Sequence, residues 1–155
     1  MIRFMDGTLL DAVDAGLEEF RRCLRVRVRR AVRESLGLGV GGAAFRIIET
    51  VLLRGPLSPS ELAAVLEVRT STMAAHLDRL EELGWARREP AGTNRVRVSI
   101  TDAGRGALEH YVSLRRAVLA EVLRPLSPRQ AAHFARLLRV CVAGQDGAAT
   151  GGGFN

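Results

Sequence analysis

The stretch that most constrains the fold is SPSELAAVLEVRTSTMAAHLDRLEELG, residues 58–84. It holds two helical periods back to back with almost nothing between them. Ser58 caps the first, Pro59 suits its first position, and Glu61 completes an S-x-x-E capping box by reaching back to the cap. Leu62, Val65 and Leu66 form an apolar stripe that stops at Glu67-Val68-Arg69. A second helical period then runs through Met73, Leu77 and Leu80 to Gly84. This is a helix-turn-helix pattern, and its second helix begins with small polar residues.

After Gly84 the period changes from helical to two. In RVRVSIT, Val96, Val98 and Ile100 alternate with Arg95, Arg97 and Ser99, and WARRE, residues 85–89, supplies the other arm of a hairpin around PAGTN. Upstream, Leu10, Val13, Leu17, Phe20, Leu24, Val28, Ala31 and Leu36 keep helical spacing and predict one long helix over 8–36. The Gly-rich GLGVGG, 37–42, breaks it. A helix from about Ala43 to Leu53 follows and stops at Arg54-Gly55-Pro56. Downstream, Thr101 caps a long helix through about Leu123, Pro125 interrupts it, and Ser127-Pro128-Arg129-Gln130 repeats the capping-box logic for a last helix. That helix is striped by Phe134, Leu137, Leu138 and Cys141. The tail GQDGAATGGGFN, 144–155, has too little apolar content to pack and is expected to be disordered.

The order of elements, GPLSPSELAAVLEV for the first helix, STMAAHLDRLEELGW for the second, and RVRVSITDAG for the closing strand with its Ile100-Thr101-Asp102-Ala103-Gly104 end resemble the MarR (multiple antibiotic resistance regulator) family of winged-helix transcription factors. The likeness covers nearly the whole chain. It implies a homodimer whose terminal helices intertwine, with two winged-helix lobes on a palindromic duplex. The sequence asks for a partner independently, because a lobe of this size cannot cover two long apolar-striped helices at opposite ends of the chain. The chain also departs from the family pattern. Glu67 and Arg69 stand where Gly and a Ser cap are frequent, no Arg lies near position 75, and the short wing carries Thr93-Asn94-Arg95 in place of D-x-R.

Charge agrees with a polyanionic partner: the net charge is +6, and the 23 basic residues are all arginine. GC-rich coding also favours arginine, so composition alone does not decide. At 100° per residue with Met73, Leu77 and Leu80 inward, Ser71, Thr72, Ala75, Asp78 and Arg79 face out. Small side chains let a helix enter the major groove closely; Ser and Thr can bond base edges, and Ala75 can meet a thymine methyl. Arg69 and Thr70 at the turn suit phosphates. On the wing, Arg95, with Asn94 beside it, is the candidate for minor-groove insertion, and Arg97 and Arg88 are candidates for phosphates. The bland alternatives are a solvated helix face and arginines that merely solubilise an edge strand.

Other signals carry less. Gly37, Gly39 and Gly42 satisfy G-x-G-x-x-G, but a helix rather than a strand precedes them, so they read as a linker. The arginines between Arg21 and Arg33 read as the solvated face of the first helix rather than as a DNA contact. Cys23 suggests a redox sensor by resemblance to peroxide-sensing members, although a packed cysteine explains it better, and Cys141 on its apolar stripe better still. His76, His110 and His133 have no paired-ligand spacing, so no metal is expected. No nucleophile, base and orienting acid cluster along the chain, so neither enzymatic activity nor a cofactor is expected.

The expected fold is mostly α with a small two-stranded β wing: a winged helix-turn-helix with long N- and C-terminal dimerisation helices. Residues 1–143 form one domain, with dimerisation helices at 8–36 and 102–143 and the lobe at 43–101. The acids from Asp6 to Glu19 interrupt any leader or membrane span, so a cytoplasmic protein is expected. Its expected partners are double-stranded DNA, a second copy of itself and a small-molecule effector lined by Phe45, Trp85 and Tyr111, residues that core packing explains equally well. The expected function is a sequence-specific DNA-binding transcription regulator, a ligand-responsive repressor. The alternative is a protein-interaction or architectural winged-helix module without sequence readout.

Overall fold

The computed structural model describes residues 6–37, 40–92 and 95–146. Within them the order is α1 (Gly7–Leu36), α2 (Gly42–Arg54), α3 (Pro59–Val65), α4 (Thr70–Glu82), β1 (Ala86–Pro90), β2 (Val96–Ile100), α5 (Asp102–Leu123) and α6 (Pro128–Asp146). The chain is mostly helical with a small antiparallel wing, as expected. It falls into two compact units that part after Val118. No helix among the described residues is long and apolar enough to cross a membrane.

Capping chemistry sets the helix starts. Asp6 caps α1 by accepting from the Thr8 amide. Ser58 and Glu61 make both halves of their capping box. Ser127 and Gln130 do the same for α6, with reciprocal bonds of 2.9 and 3.3 Å.

The helix ends use left-handed residues. At the end of α4, Gly84 (φ 68°) donates to Glu81 O and the Trp85 amide reaches back to Leu80 O, the paired bonds of a Schellman motif. The end of α3 repeats it: Glu67 donates to Ala64 O and Val68 to Ala63 O. Here the left-handed residue is not glycine, and Glu67 holds φ 54°.

The core of the first unit joins α2, α3, α4 and the wing. Phe45, Ile47, Ile48, Leu62, Met73, Leu77, Leu80 and Val98 are the largest fully buried side chains. Val32, near the end of α1, and Ala107 on α5 belong to the same cluster. A hydrogen bond of 2.6 Å between Ser35 Oγ and His110 Nε2 ties α1 to α5.

In the wing, Ala86 pairs with Ile100 and Pro90 with Val96. The alternation holds where the strand meets the core: Val98 and Ile100 are buried, while Arg97 is exposed. Val96, nearer the tip, is 41% exposed because the hairpin has left the lobe there. Val98 also donates to Leu57 O, so the chain entering α3 adds a third short rung.

Two expectations change. The last helix continues to Asp146, so Gly144, Gln145 and Asp146 are helical rather than part of a tail; the rest of that expected tail lies outside the described residues. Cys141, expected in packing, is exposed in the single chain because the α6 face it shares with Leu137 and Leu138 is open.

Candidate nucleic-acid interface

The outward face of α4 is as its period requires. Met73, Leu77 and Leu80 are buried, whereas Ser71, Thr72, Ala75, Asp78 and Arg79 are exposed. Arg69 occupies the N-cap and makes no side-chain capping bond. The first-turn amides of α4 therefore have no side-chain acceptor at the cap, and they carry the positive end of the helix dipole. Arg69 and Thr70 are exposed beside them. Arg79 is partly engaged, donating to Glu82 at 2.7 Å along the helix surface.

The wing arginines divide into different environments. Arg95 is exposed at the wing tip and shares an open groove of about 560 Å³ with Ser58, Ser60, Glu61, Thr70 and Arg97. Arg97 donates to Pro56 O at 2.6 Å and so pins β2 to the segment ahead of α3. Both arginines help hold the Glu61 carboxyl below its ordinary range, although its bonds from the Ser58 amide and hydroxyl are the larger causes.

Arg88 is turned inward. Its guanidinium bonds Asp78 at 2.8 Å and Glu81 more closely still, and it reaches Ala74 O at 3.4 Å. Glu81 also accepts from the Arg88 backbone amide at 2.8 Å. This residue, expected on phosphates, is occupied in bracing β1 against α4. The sequence held only part of the signal: Asp78 and Glu81 lie three apart on a helix read as facing a polyanion and call for a cation, but their spacing does not name Arg88.

The wing exit is locked to its entrance. Thr101 Oγ1 donates to Gly84 O at 2.6 Å, and the Thr101 amide donates to Trp85 O at 3.1 Å. The Gly104 amide in turn donates to Thr101 Oγ1 at 3.1 Å. A Cβ on Gly104 would lie 2.2 Å from Trp85 O and 2.8 Å from Ile100 Cγ2. The I-T-D-A-G end is thus a close-approach motif in which α5 starts directly against the turn after α4.

Phe45, Trp85 and Tyr111 do come together. Phe45 stacks on Tyr111 at 4.0 Å between centroids and tilts against Trp85 at 5.7 Å, and the Arg115 guanidinium lies 6.0 Å from the Tyr111 centroid. The rings fill one another's space and belong to the lobe core or pack against it. Cys23 is half-buried on α1. Asn94 lies outside the described residues, as does Gly39 of the glycine pattern. Arg21, Arg22 and Arg30 on α1 form i,i+3 or i,i+4 pairs with Glu18, Glu19 and Glu34 at 2.7–2.8 Å. Those pairs suit a solvated face.

Two helices at a tight turn, an exposed second helix and a hairpin clamped beside it define a winged helix-turn-helix protein. Residues 38–95 match the model of the MarR family. The HTH-type transcriptional regulator PecS of Dickeya dadantii is 33% identical over 99 residues, which are 61% of this chain and 60% of that protein. The HTH-type transcriptional regulator YpoP of Bacillus subtilis is 30% identical over 97 residues, 61% of this chain and 69% of that protein. A MarR family protein from Bacillus stearothermophilus has the same fold, with a TM-score of 0.77 at 22% identity over 92% of this chain and 99% of that one. The chain belongs to the MarR family.

Proposed function

We propose that this chain is a DNA-binding transcription regulator that acts as a homodimer on a palindromic duplex. The observation that carries the reading is the pairing of an α4 face made of small side chains with an uncapped, arginine-flanked helix start. Such a face can enter the major groove without steric conflict. Ser71 and Thr72 contact base edges, Ala75 meets a thymine methyl, and Arg69, Thr70 and the first amides of α4 hold phosphates. Arg95 reaches the adjacent minor groove, with Asn94 beside it. Arg97 and Arg79 add phosphate contacts from within their existing bonds, while Arg88 acts by holding the wing in place.

Repression follows from occupancy, since a dimer seated on a promoter excludes polymerase without further parts. A small molecule that favours one lobe spacing over another shifts that occupancy, and a differential affinity of about 1–3 kcal/mol suffices. The Phe45, Trp85 and Tyr111 cluster supports such a coupling because it links α2, the end of α4 and α5. Work on DNA places the protein in the cytoplasm.

Two variants separate readout from charge. Thr72→Ala lowers the preference for the cognate duplex by roughly tenfold, within the 1–3 kcal/mol of a lost base contact. Arg95→Ala weakens cognate and scrambled duplexes together and lowers the salt slope by about one unit. If both variants bind every duplex as the parent does, the contacts assigned to Thr72 and Arg95 are overturned, and a parent that binds no duplex even at low salt makes the chain an interaction module.

A further inference from the structure

Asp78 is an acid on the α4 face that meets a polyanion in the reading above. Ser71, Ala74, Ala75 and Asp78 are all exposed, and they lie at i, i+3, i+4 and i+7, so they form one row along the helix. Homeodomain recognition helices turn a row of this spacing to base edges in the major groove. The Asp78 side chain is 62% exposed. Its Oδ1 accepts from Arg88 Nη1 at 2.8 Å, and its Oδ2 has no partner among the described residues. The same guanidinium serves Glu81 and, at 3.4 Å, Ala74 O, so it steadies the carboxylate from the wing side. Two acids thus share one cation. Beside phosphates that surplus of negative charge lowers affinity for every duplex, and a base-edge donor that meets the carboxylate restores it for one sequence.

We infer that Asp78 is a specificity-determining residue that accepts a hydrogen bond from the exocyclic amino group of a cytosine in the major groove. The inference rests on the DNA-binding reading and adds to it one base. In the major groove only cytosine and adenine offer donors, the N4 and N6 amino groups. Guanine and thymine present acceptors there, which repel a carboxylate. Adenine sets its N7 acceptor beside its amino group on the same base, whereas cytosine has no acceptor on its own edge. Cytosine is therefore the base that a carboxylate selects. Arg88 is a positioning residue for this contact: it fixes one oxygen of the acid and so orders the side chain, which leaves the other oxygen for the base.

The test uses the full chain, duplexes that it selects from a random-sequence pool, and a panel in which each half-site position carries all four bases in turn. For the parent, one cytosine in each half-site is preferred over every other base by about tenfold or more. Asp78→Ala shrinks that preference to within about threefold and leaves those at other positions in place; it binds scrambled duplexes at least as tightly as the parent, since the repelling charge is gone. Asp78→Asn keeps the shape and an acceptor for Arg88. It moves the preference at the same position toward adenine, whose N6 and N7 an amide meets together. Variants that change every duplex by one common factor, or that leave the panel as the parent's, overturn the inference, because Asp78 then serves only to hold Arg88 or nothing at all. An affected position at which the parent prefers a base other than cytosine overturns it too. A parent that selects no sequence overturns the sequence readout proposed above, and not this residue alone.

Discussion

Glu67 and Gly104 show how much one residue carries at the two turns that set the interface. Glu67 holds φ 54° at the end of α3, in a motif that the same chain closes with Gly84 at the end of α4. A non-glycine residue there costs about 1–2 kcal/mol, from which about 0.4–1 kcal/mol of unfolded-chain entropy is subtracted when glycine replaces it. Glu67→Gly therefore stabilises the chain by about 0.5–1 kcal/mol in denaturant melts; a loss of stability would mean the glutamate makes a compensating contact. Gly104 is the opposite case. An added methyl meets the Trp85 carbonyl at 2.2 Å, an atom of the backbone that cannot swing aside. Gly104→Ala costs about 3 kcal/mol and loosens the wing exit. The sequence pointed to both positions, but as departures or agreements with a pattern. Neither the backbone angle of Glu67 nor the closeness of Trp85 to α5 can be read from spacing, because each depends on chain segments meeting in space.

At the scale of elements, local chemistry was legible and cross-element chemistry was not. Capping boxes at Ser58 and Ser127, apolar periods in α2 and α4, and the switch to alternation at Val96 each involve residues within a few positions of one another. They placed the helices and strands to within one or two residues, apart from the end of the last helix, which runs three residues past the expected 143. The clamp of Arg88 on Asp78 and Glu81 spans two elements, and periodicity says nothing about it. Arg88→Met removes that clamp while keeping bulk. With Arg88 27% and Glu81 33% exposed, the loss is about 1–2 kcal/mol. Amide exchange across 86–100 then rises up to roughly tenfold with α2 unchanged; equal exchange in both proteins would show that the Thr101 and Gly104 contacts alone hold the wing. The α3 cap gives a pH prediction. Bonds from Ser58 hold the Glu61 carboxyl below its ordinary value. A depressed carboxyl contributes stability above its unfolded pKa and loses it as pH falls through the folded one. Glu61→Gln flattens the acid limb of the stability curve, whereas an unaltered limb would assign that limb to other carboxylates.

For the whole molecule, two apolar stripes lie open on α1 and α6 of the single chain, and the wing arginines together with Arg69 at the start of α4 suit a polyanion. The stripes were legible because a leucine period on a long helix shows in any window of sequence; what covers them was not, since that depends on surfaces outside the window. The same holds for the outward face of α4, whose members were identified from helical spacing while their DNA contacts rest on the reading proposed above. The most direct test is fluorescence anisotropy of the full chain on a palindromic duplex from its own upstream region, against a scrambled duplex, at two salt concentrations. The account predicts a preference of about a thousandfold or more that persists at physiological salt, with steep salt dependence on the scrambled duplex. Equal affinity for both duplexes at both salts would contradict sequence readout by α4.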